Sequence, residues 1–579
     1  MSTRLKRYYR LHRLNTGILL RIFSHIQGIS GSLLDLSLTC RILREVCKPI
    51  VFRNVTRKLT TAVVDPEELF PAPLSPFVQS FAIVDCCPAE KNPTESLLIF
   101  SLLGQQRNGG LLVLPEEPFL CTSLDGPGLQ LCLRLMTSLR KISLASSTSV
   151  SLHGVRWPTL KAILSLPQLE EFSLIGLLFS PVLVDGVAPD EVEIPDLDHI
   201  KSFRYEASSL RASGWGTVAP SSHPFRIEET MLRRVLEKLH GSLESLTLPA
   251  QAAPIQAMAQ WKWPRLRELT LRGPWWVEPR SPPLVSLFAT MPRLRKLALE
   301  LTLAQGPLTL TEAPPLWPRA HAHRATFAFP WPDLTHLSLS HPRADDEVFA
   351  HLPLGLRALS LCCCPHKSEK PFLDLDSTVP HGYQYQYPVL GASEMLGILQ
   401  CCQCRTPQLA HLALEYNANG REREDELLRH VVVAFPDLES LEVHRYRKAD
   451  DTDTTAWWGK RDPDFQIVES FGRSLGSLAR LRTVKVYLDY EDAPQPFGVC
   501  GTHVSPEERK TLVPTHRKAA DVLARAVSPS VESVQLWRPH QHAWLAFRVV
   551  RGPDGVVERC EEDESESQSS AKVHFTGGS

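Results

Sequence analysis

The chain has 579 residues, 43% hydrophobic and 22% charged, with 63 Lys+Arg balanced by 64 Asp+Glu. That length exceeds one ordinary compact core and asks for a solenoid or several domains. The cancelled charge excludes wholesale electrostatic binding to nucleic acid, leaving only a local basic patch open, and 47 prolines exclude long helical bundles.

The chain begins with a basic segment. Residues 1–34 contain no acid and carry Arg4, Lys6, Arg7, Arg10, Arg13 and Arg21. A mitochondrial targeting helix, a solvated tail and a weak nuclear signal all suit that composition. No apolar h-region with a small-residue cleavage site follows, so no secretory signal is expected. Apolar clusters at helical spacing come next: Ile18, Leu19, Ile22, Phe23 and Ile26, then Leu33 and Leu36, then Ile42 and Val46. Gly28 and Gly31 separate the first two clusters and Pro49 breaks the third, which predicts three short helices.

From about residue 78 a different unit recurs, with apolar residues at positions one, four and six. It runs from Val78-Phe81-Ile83 through copies such as Leu139-Ile142-Leu144, Leu266-Leu269-Leu271 and Leu438-Leu441-Val443 to Val531-Val534-Leu536, thirteen copies in all. Positions four and six point the same way off a short strand, and the first fills the same core from the incoming turn. Pro167, Pro264, Pro292, Pro332, Pro407 and Pro436 stand two residues ahead of their copies, where proline stops a helix and sets up an extended entry. Starts at 243, 266 and 294 are 23 and 28 residues apart, within the leucine-rich-repeat range of roughly 20–29. Helical stretches are expected at 228–240, 424–435, 465–478 and 516–526, and insertions at 301–330, 365–395 and 445–464. Strand followed by helix, repeated, predicts an α/β solenoid. The residues between the leucines, such as Ser245, Thr247, Glu268, Thr270, Lys296, Ala298, Ser440 and Glu442, should line one face. Near the C-terminus, Gly552-Pro553-Asp554-Gly555 between two apolar runs signals a hairpin that would cap the array, before an acidic, serine-rich and glycine-rich tail over 561–579 expected to be disordered.

Residues 14–26, LNTGILLRIFSHI, and 33–56, LLDLSLTCRILREVCKPIVFRNVT, resemble the F-box. Leu14, Ile18, Leu19, Ile22, Phe23 and Ile26 fall on the apolar positions of that family's first half; Leu33, Leu36, Leu38, Cys40, Ile42 and Phe52 match its second half. Asn15 replaces the usual proline and Gly17 the usual glutamate. Asn15 can still cap a helix, whereas Gly17 costs about 1 kcal/mol of helix propensity. The remainder is similar to the leucine-rich-repeat region of fungal F-box proteins. The resemblance implies a division into a helical, adaptor-binding module over 1–60 and an irregular solenoid with insertions over 75–560. It further implies a substrate receptor that binds a Skp-type adaptor, and through it a cullin, while the repeats hold a protein target. Leu14, Asn15, Ile18, Leu19, Ile22, Phe23, Leu36, Leu38, Ile42 and Phe52 would form the adaptor-binding set. The alternative is a leucine-rich-repeat scaffold without ligase function, which Asn15 and Gly17 suit.

Other chemistries are weaker. Gly472-Arg473-Ser474-Leu475-Gly476 matches the GxSxG elbow of hydrolases, which needs a strand before it and a helix after it; here the order is reversed. Cys362, Cys363, Cys364, His366, Cys401, Cys402 and Cys404 offer zinc-ligand chemistry, but the paired CxxC spacing of a zinc ribbon is absent and cysteine is also a good core residue. The expectation is a non-enzyme with no cofactor, no metal, and neither a nucleic-acid nor a membrane partner. Adjacent cysteines point to a reducing compartment, cytoplasmic or nuclear, where the sequon at Asn54 would not be glycosylated.

Overall fold

The computed structural model describes residues 14–26, 32–87, 122–147, 153–182, 187–206, 223–274, 284–302, 315–318, 331–362, 389–403, 406, 408–418, 421–447, 465–488, 506–538 and 543–563. They fall into two compact units, divided at residues 243 and 244. Both are mixed α/β, built on parallel strands with helices in the connections.

The first unit opens with the three helices expected, α1 (Thr16–Ile26), α2 (Ser32–Thr39) and α3 (Arg41–Val51). The Asn15 side chain starts α1 by accepting the Gly17 N–H at 2.7 Å. Extended Cys40 (φ −158°, ψ 162°) breaks the path between α2 and α3. Pro49 lies in the last turn of α3, two residues inside its end, so it weakens the helix end without setting it. Leu19, Phe23, Leu33, Leu43, Val46 and Cys47 close a small core among these helices.

Strand β1 (Asn54–Leu59) follows at once, in a stretch expected to belong to the helical module, and pairs in parallel with β2 (Ser80–Asp85). The ladder continues through β3 (Lys141–Ser146), β5 (Glu171–Ile175) and β7 (Ser202–Glu206). Short β4 (Gly154–Val155) and β6 (Leu178–Phe179) pair separately. The connections hold α4 (Pro66–Leu69), α5 (Pro127–Leu135) and α6 (Trp157–Leu164), and α7 (His223–Leu239) follows β7.

In the second unit β8 (Ser245–Pro249), β9 (Glu268–Pro274), β10 (Lys296–Thr302), β11 (His336–Leu339), β12 (Ala358–Leu361), β13 (His411–Ala418), β14 (Ser440–Arg447), β15 (Thr483–Leu488) and β16 (Ser533–Arg538) pair in parallel in that order. Its helices are α8 (Ile255–Met258), α9 (Leu284–Phe288), α10 (Ala392–Gln403), α11 (Arg421–Ala434), α12 (Gln466–Ser474) and α13 (Pro506–Ala526). Two antiparallel strands, β17 (Ala543–Arg551) and β18 (Val557–Glu562), end the ladder, joined through Gly555 at φ 79°. The expected tail boundary at 561 thus falls inside β18; residues 564–579 lie outside the described residues.

All thirteen apolar units form strands, and within each of the two compact units they stack in register. Leu246, Leu269, Leu297, Leu337, Leu359, Leu412, Leu441, Val484 and Val534 are partners along one row. Every one of them is buried, so each rung adds to one continuous core. The register has a backbone cause. At the entry of most parallel strands two consecutive N–H groups donate to the single carbonyl just before the neighbouring strand. Arg140 and Lys141 share Gln79 O, Arg295 and Lys296 share Arg267 O, and Glu532 and Ser533 share Arg482 O. A slip of one residue would break both bonds and turn the leucines outward.

The upstream prolines act differently from expectation. Leu169, Leu294, Leu334 and Leu438 each donate their N–H to the residue three places earlier: Leu166, Met291, Trp331 and Phe435. Pro167, Pro292, Pro332 and Pro436 therefore occupy the second position of a tight turn, where a fixed φ near −65° is already correct. That turn drops the first leucine of the unit into the core.

Candidate functional site

The helices α1–α3 divide the sequence-nominated residues into core and surface. Leu19 and Phe23 are fully buried, and Ile22 and Leu36 are half-buried against the same core. Leu14, Ile18, Leu38 and Ile42 instead face solvent, at 41%, 50%, 67% and 53% exposure. Leu34, which the family pattern does not single out, joins them at 55%. Leu34 and Leu38 are four residues apart within α2 and form a stripe along it, while Leu14 lies just ahead of the α1 cap, four residues before Ile18. The i, i+4 spacing to Leu38 was the signal for Leu34 in the sequence.

Asn15 caps the helix and is itself exposed, and Gly17 lies against its side chain. A Cβ at position 17 would lie 3.3 Å from the Asn15 Oδ1 that the Gly17 N–H already holds. Phe52 stands at the exit of α3, edge-on to Phe70 at 6.1 Å, and Arg57 covers the Phe70 ring at 5.8 Å. Phe52 therefore connects the helices to the first rung. Ile26 lies in α1, but its side chain is outside the described residues.

Buried polar groups tie helices to strands in both units. In the first, Glu228 on α7 accepts from the Tyr205 hydroxyl and from the Phe179 N–H. Asp85 accepts from Ser123 Oγ at 2.9 Å and pairs with His153 Nδ1 at 3.0 Å. Serine and histidine meet the same carboxylate, so this is not the relay a nucleophilic serine requires. In the second unit Arg445 binds Glu424 on α11 through two hydrogen bonds, 2.6 and 3.1 Å, and the Tyr416 hydroxyl donates to the same carboxylate at 3.0 Å. Burial, then the negative charge of Glu424, pushes the Tyr416 phenol well above its usual pKa. Within the expected insertion 301–330, Leu316 and Trp317 are buried, and Asp346 accepts both of their backbone N–H groups at 2.5 and 3.0 Å.

Ser474 ends α12, with its hydroxyl bonded back to Ser470 O at 3.1 Å, and β15 follows; this is a helix terminus and not a strand-to-helix elbow. Gly472, in the same motif, packs so closely on α13 that a Cβ there would lie 2.6 Å from the Ala526 Cβ. Of the nominated cysteines, Cys402 is buried in α10 with its thiol pKa raised by desolvation, and Cys401 beside it is exposed. Cys363, Cys364, His366 and Cys404 are outside the described residues, as is Trp457-Trp458.

The face opposite the leucines carries the alternate residues in rows. Ser245, Glu268, Lys296, His336, Ala358, His411, Ser440, Thr483 and Ser533 are successive partners. Thr247, Thr270, Ala298, Ser338, Ser360, Ala413, Glu442, Lys485 and Gln535 form the next row. Polar and small residues dominate both rows. No helix among the described residues is long and apolar enough to cross a membrane.

No protein-family model matches the chain, and no curated protein matches it. Among solved structures, an internalin of Listeria monocytogenes aligns over 78% of this chain and 86% of its own, with 10% identity and a TM-score of 0.28.

Proposed function

We propose that the chain is a substrate receptor of a Skp–cullin–F-box ubiquitin ligase. The helices α1–α3 would dock on the Skp-type adaptor, and the strand ladder would hold a protein target. The chain itself performs no chemistry; it raises the effective concentration of the target near the conjugating enzyme. One observation carries this reading. A helical module whose own core is already closed by Leu19, Phe23, Leu43 and Val46 still leaves Leu14, Ile18, Leu34, Leu38 and Ile42 exposed. Large apolar side chains left exposed outside a completed core suit an interaction surface. The rows of alternate residues on the ladder are a second surface, suited to a separate partner.

The test is co-purification of the full chain with a Skp-type adaptor, comparing wild type with Ile18→Asp/Leu38→Asp. These positions are exposed, so the variant should keep the wild-type circular dichroism and melting temperature while adaptor recovery falls at least tenfold. That fold-change corresponds to about 1.4 kcal/mol. Equal recovery from the variant, or none from wild type, would refute the adaptor role. The scaffold reading, which needs only the ladder, would then take its place.

A further inference from the structure

We propose that Cys362, Glu442 and His444 form a zinc site on the face of the second ladder opposite the leucine core. Cys362 directly follows β12, and Glu442 and His444 lie two residues apart on β14. One ligand atom from each of the three comes within 4.8 Å of the others. His444 Nε2 is 2.8 Å from Glu442 Oε1. Cys362 and His444 are buried, at 5% and 0% exposure, and the Glu442 side chain keeps 20%, so the group is enclosed with one side open.

Strand geometry explains how residues 80 positions apart converge. Glu442 and Ala413 are partners across β14 and β13, and Ala413 is the partner of Ser360 on β12. Strands two apart in a sheet are separated by about 9.5 Å, too far for most side chains to share an atom. On β13 Ala413 stands beside Glu442, where its small side chain leaves room, and Glu415 stands beside His444 with its carboxylate accepting from the Tyr446 hydroxyl at 2.8 Å.

The donor set selects the ion. A thiolate, an imidazole and a carboxylate suit borderline-soft zinc, whereas magnesium and calcium take oxygen ligands. Zinc bonds of about 2.0–2.3 Å place tetrahedral ligand atoms roughly 3.3–3.8 Å apart, so small side-chain rotations close the present spacing. Aromatic walls support the histidine: its ring centroid is 5.5 Å from Trp544, 6.2 Å from Trp537 and 6.4 Å from Tyr487. Such a dry shell limits competition from water for the ligands. Three protein ligands leave the fourth position to water or to a donor from a bound partner. On binding, the ion replaces the proton shared between His444 Nε2 and Glu442, and that proton and the Cys362 thiol proton are both released to solvent. The ion would tie β12 to β14 across β13.

The full chain, freed of metal with a chelator, is titrated with zinc against a chromophoric competitor, and separately with cobalt(II). Wild type should bind one equivalent and show a thiolate-to-cobalt charge-transfer absorption. Cys362→Ser should abolish that absorption. Glu442→Gln, which preserves shape at a partly exposed side chain, should weaken zinc at least tenfold, while Cys401→Ser, at an exposed thiol outside the cluster, should change nothing. If Cys362→Ser does not fold, Glu442→Gln decides. The proposal is overturned if Glu442→Gln binds zinc as tightly as wild type. It is also overturned if Cys401→Ser removes the charge-transfer absorption, which would mark adventitious binding to a surface thiol.

Discussion

Arg445 and Tyr416 are register partners on β14 and β13, and both reach inward to Glu424 on α11. All three are buried, so the ionic pair was removed from water and depends on its own hydrogen bonds. Removing one partner of such a pair leaves the other charge uncompensated, at a typical cost of 3–5 kcal/mol. Glu424→Ala should therefore lower the unfolding free energy of the second unit by an amount of that order, read as a lower denaturant midpoint. A midpoint within error of wild type would mean the tie contributes nothing. None of this was legible from residue type alone. Glu424 and Arg445 stand 21 positions apart, and a charged pair on a helix and a strand reads as two solvated side chains until the fold brings them together.

At the scale of the element, strands were readable and helices less so. The apolar unit repeats because every rung must place three residues in one core, and that demand writes itself into the sequence thirteen times. β1 escaped notice because it is an end strand. Its residues NVTRKL bury only Leu59 fully and expose Arg57 and Lys58, so no alternation shows. Helices α5, α6 and α10 were missed because their apolar residues merge with the flanking leucines. α13 runs from Pro506, ten residues before the expected start, and carries Pro514 inside it. In the N-terminal helices the pattern found the apolar positions but could not separate buried Leu19 from exposed Ile18, since core and contact residues are both apolar. The proposed zinc ligands are half legible: Cys362 stands in a conspicuous run of cysteines, but Glu442 and His444 come from a strand two rungs away. Glycine, too, acquires its meaning from the neighbouring element. Gly472→Val would drive a side chain into Ala526 on α13, where a Cβ alone already falls at 2.6 Å. Overpacking of this kind costs about 1–3 kcal/mol. A thermal melt of Gly472→Val should show that loss, and an unchanged melting temperature would mean the two helices part freely.

A strand ladder has a problem at an uncovered edge, where unpaired backbone groups can recruit another chain. The first strand of the first unit and the last strand of the second both answer it with charge. β1 exposes Arg57 and Lys58, and β18 exposes Glu558 and Arg559. The hairpin of β17 and β18 also reverses the strand direction, so what lies beyond the last parallel rung differs from the rungs within. It covers β16 with Leu545 and Phe547, which are partners of Leu536 and Val534. A chain ending after Arg538 would expose that edge, with Val534, Leu536 and Trp537 along it. Light scattering should detect association of the shortened protein at concentrations where the full chain is monodisperse. Equal dispersity would show that the hairpin is dispensable as a cap. The joint at the start of the first unit has a mechanical consequence. Only Phe52 and Arg53 separate α3 from β1, and the Arg53 carbonyl accepts N–H groups from both Gln79 and Ser80 at 2.9 Å. With no slack in that joint, a partner gripping α1 and α2 also fixes the heading of the first rungs, as a handle fixes a blade. A few glycines inserted after Arg53 would turn the handle into a hinge, changing reach and aim while leaving the side chains of both surfaces untouched.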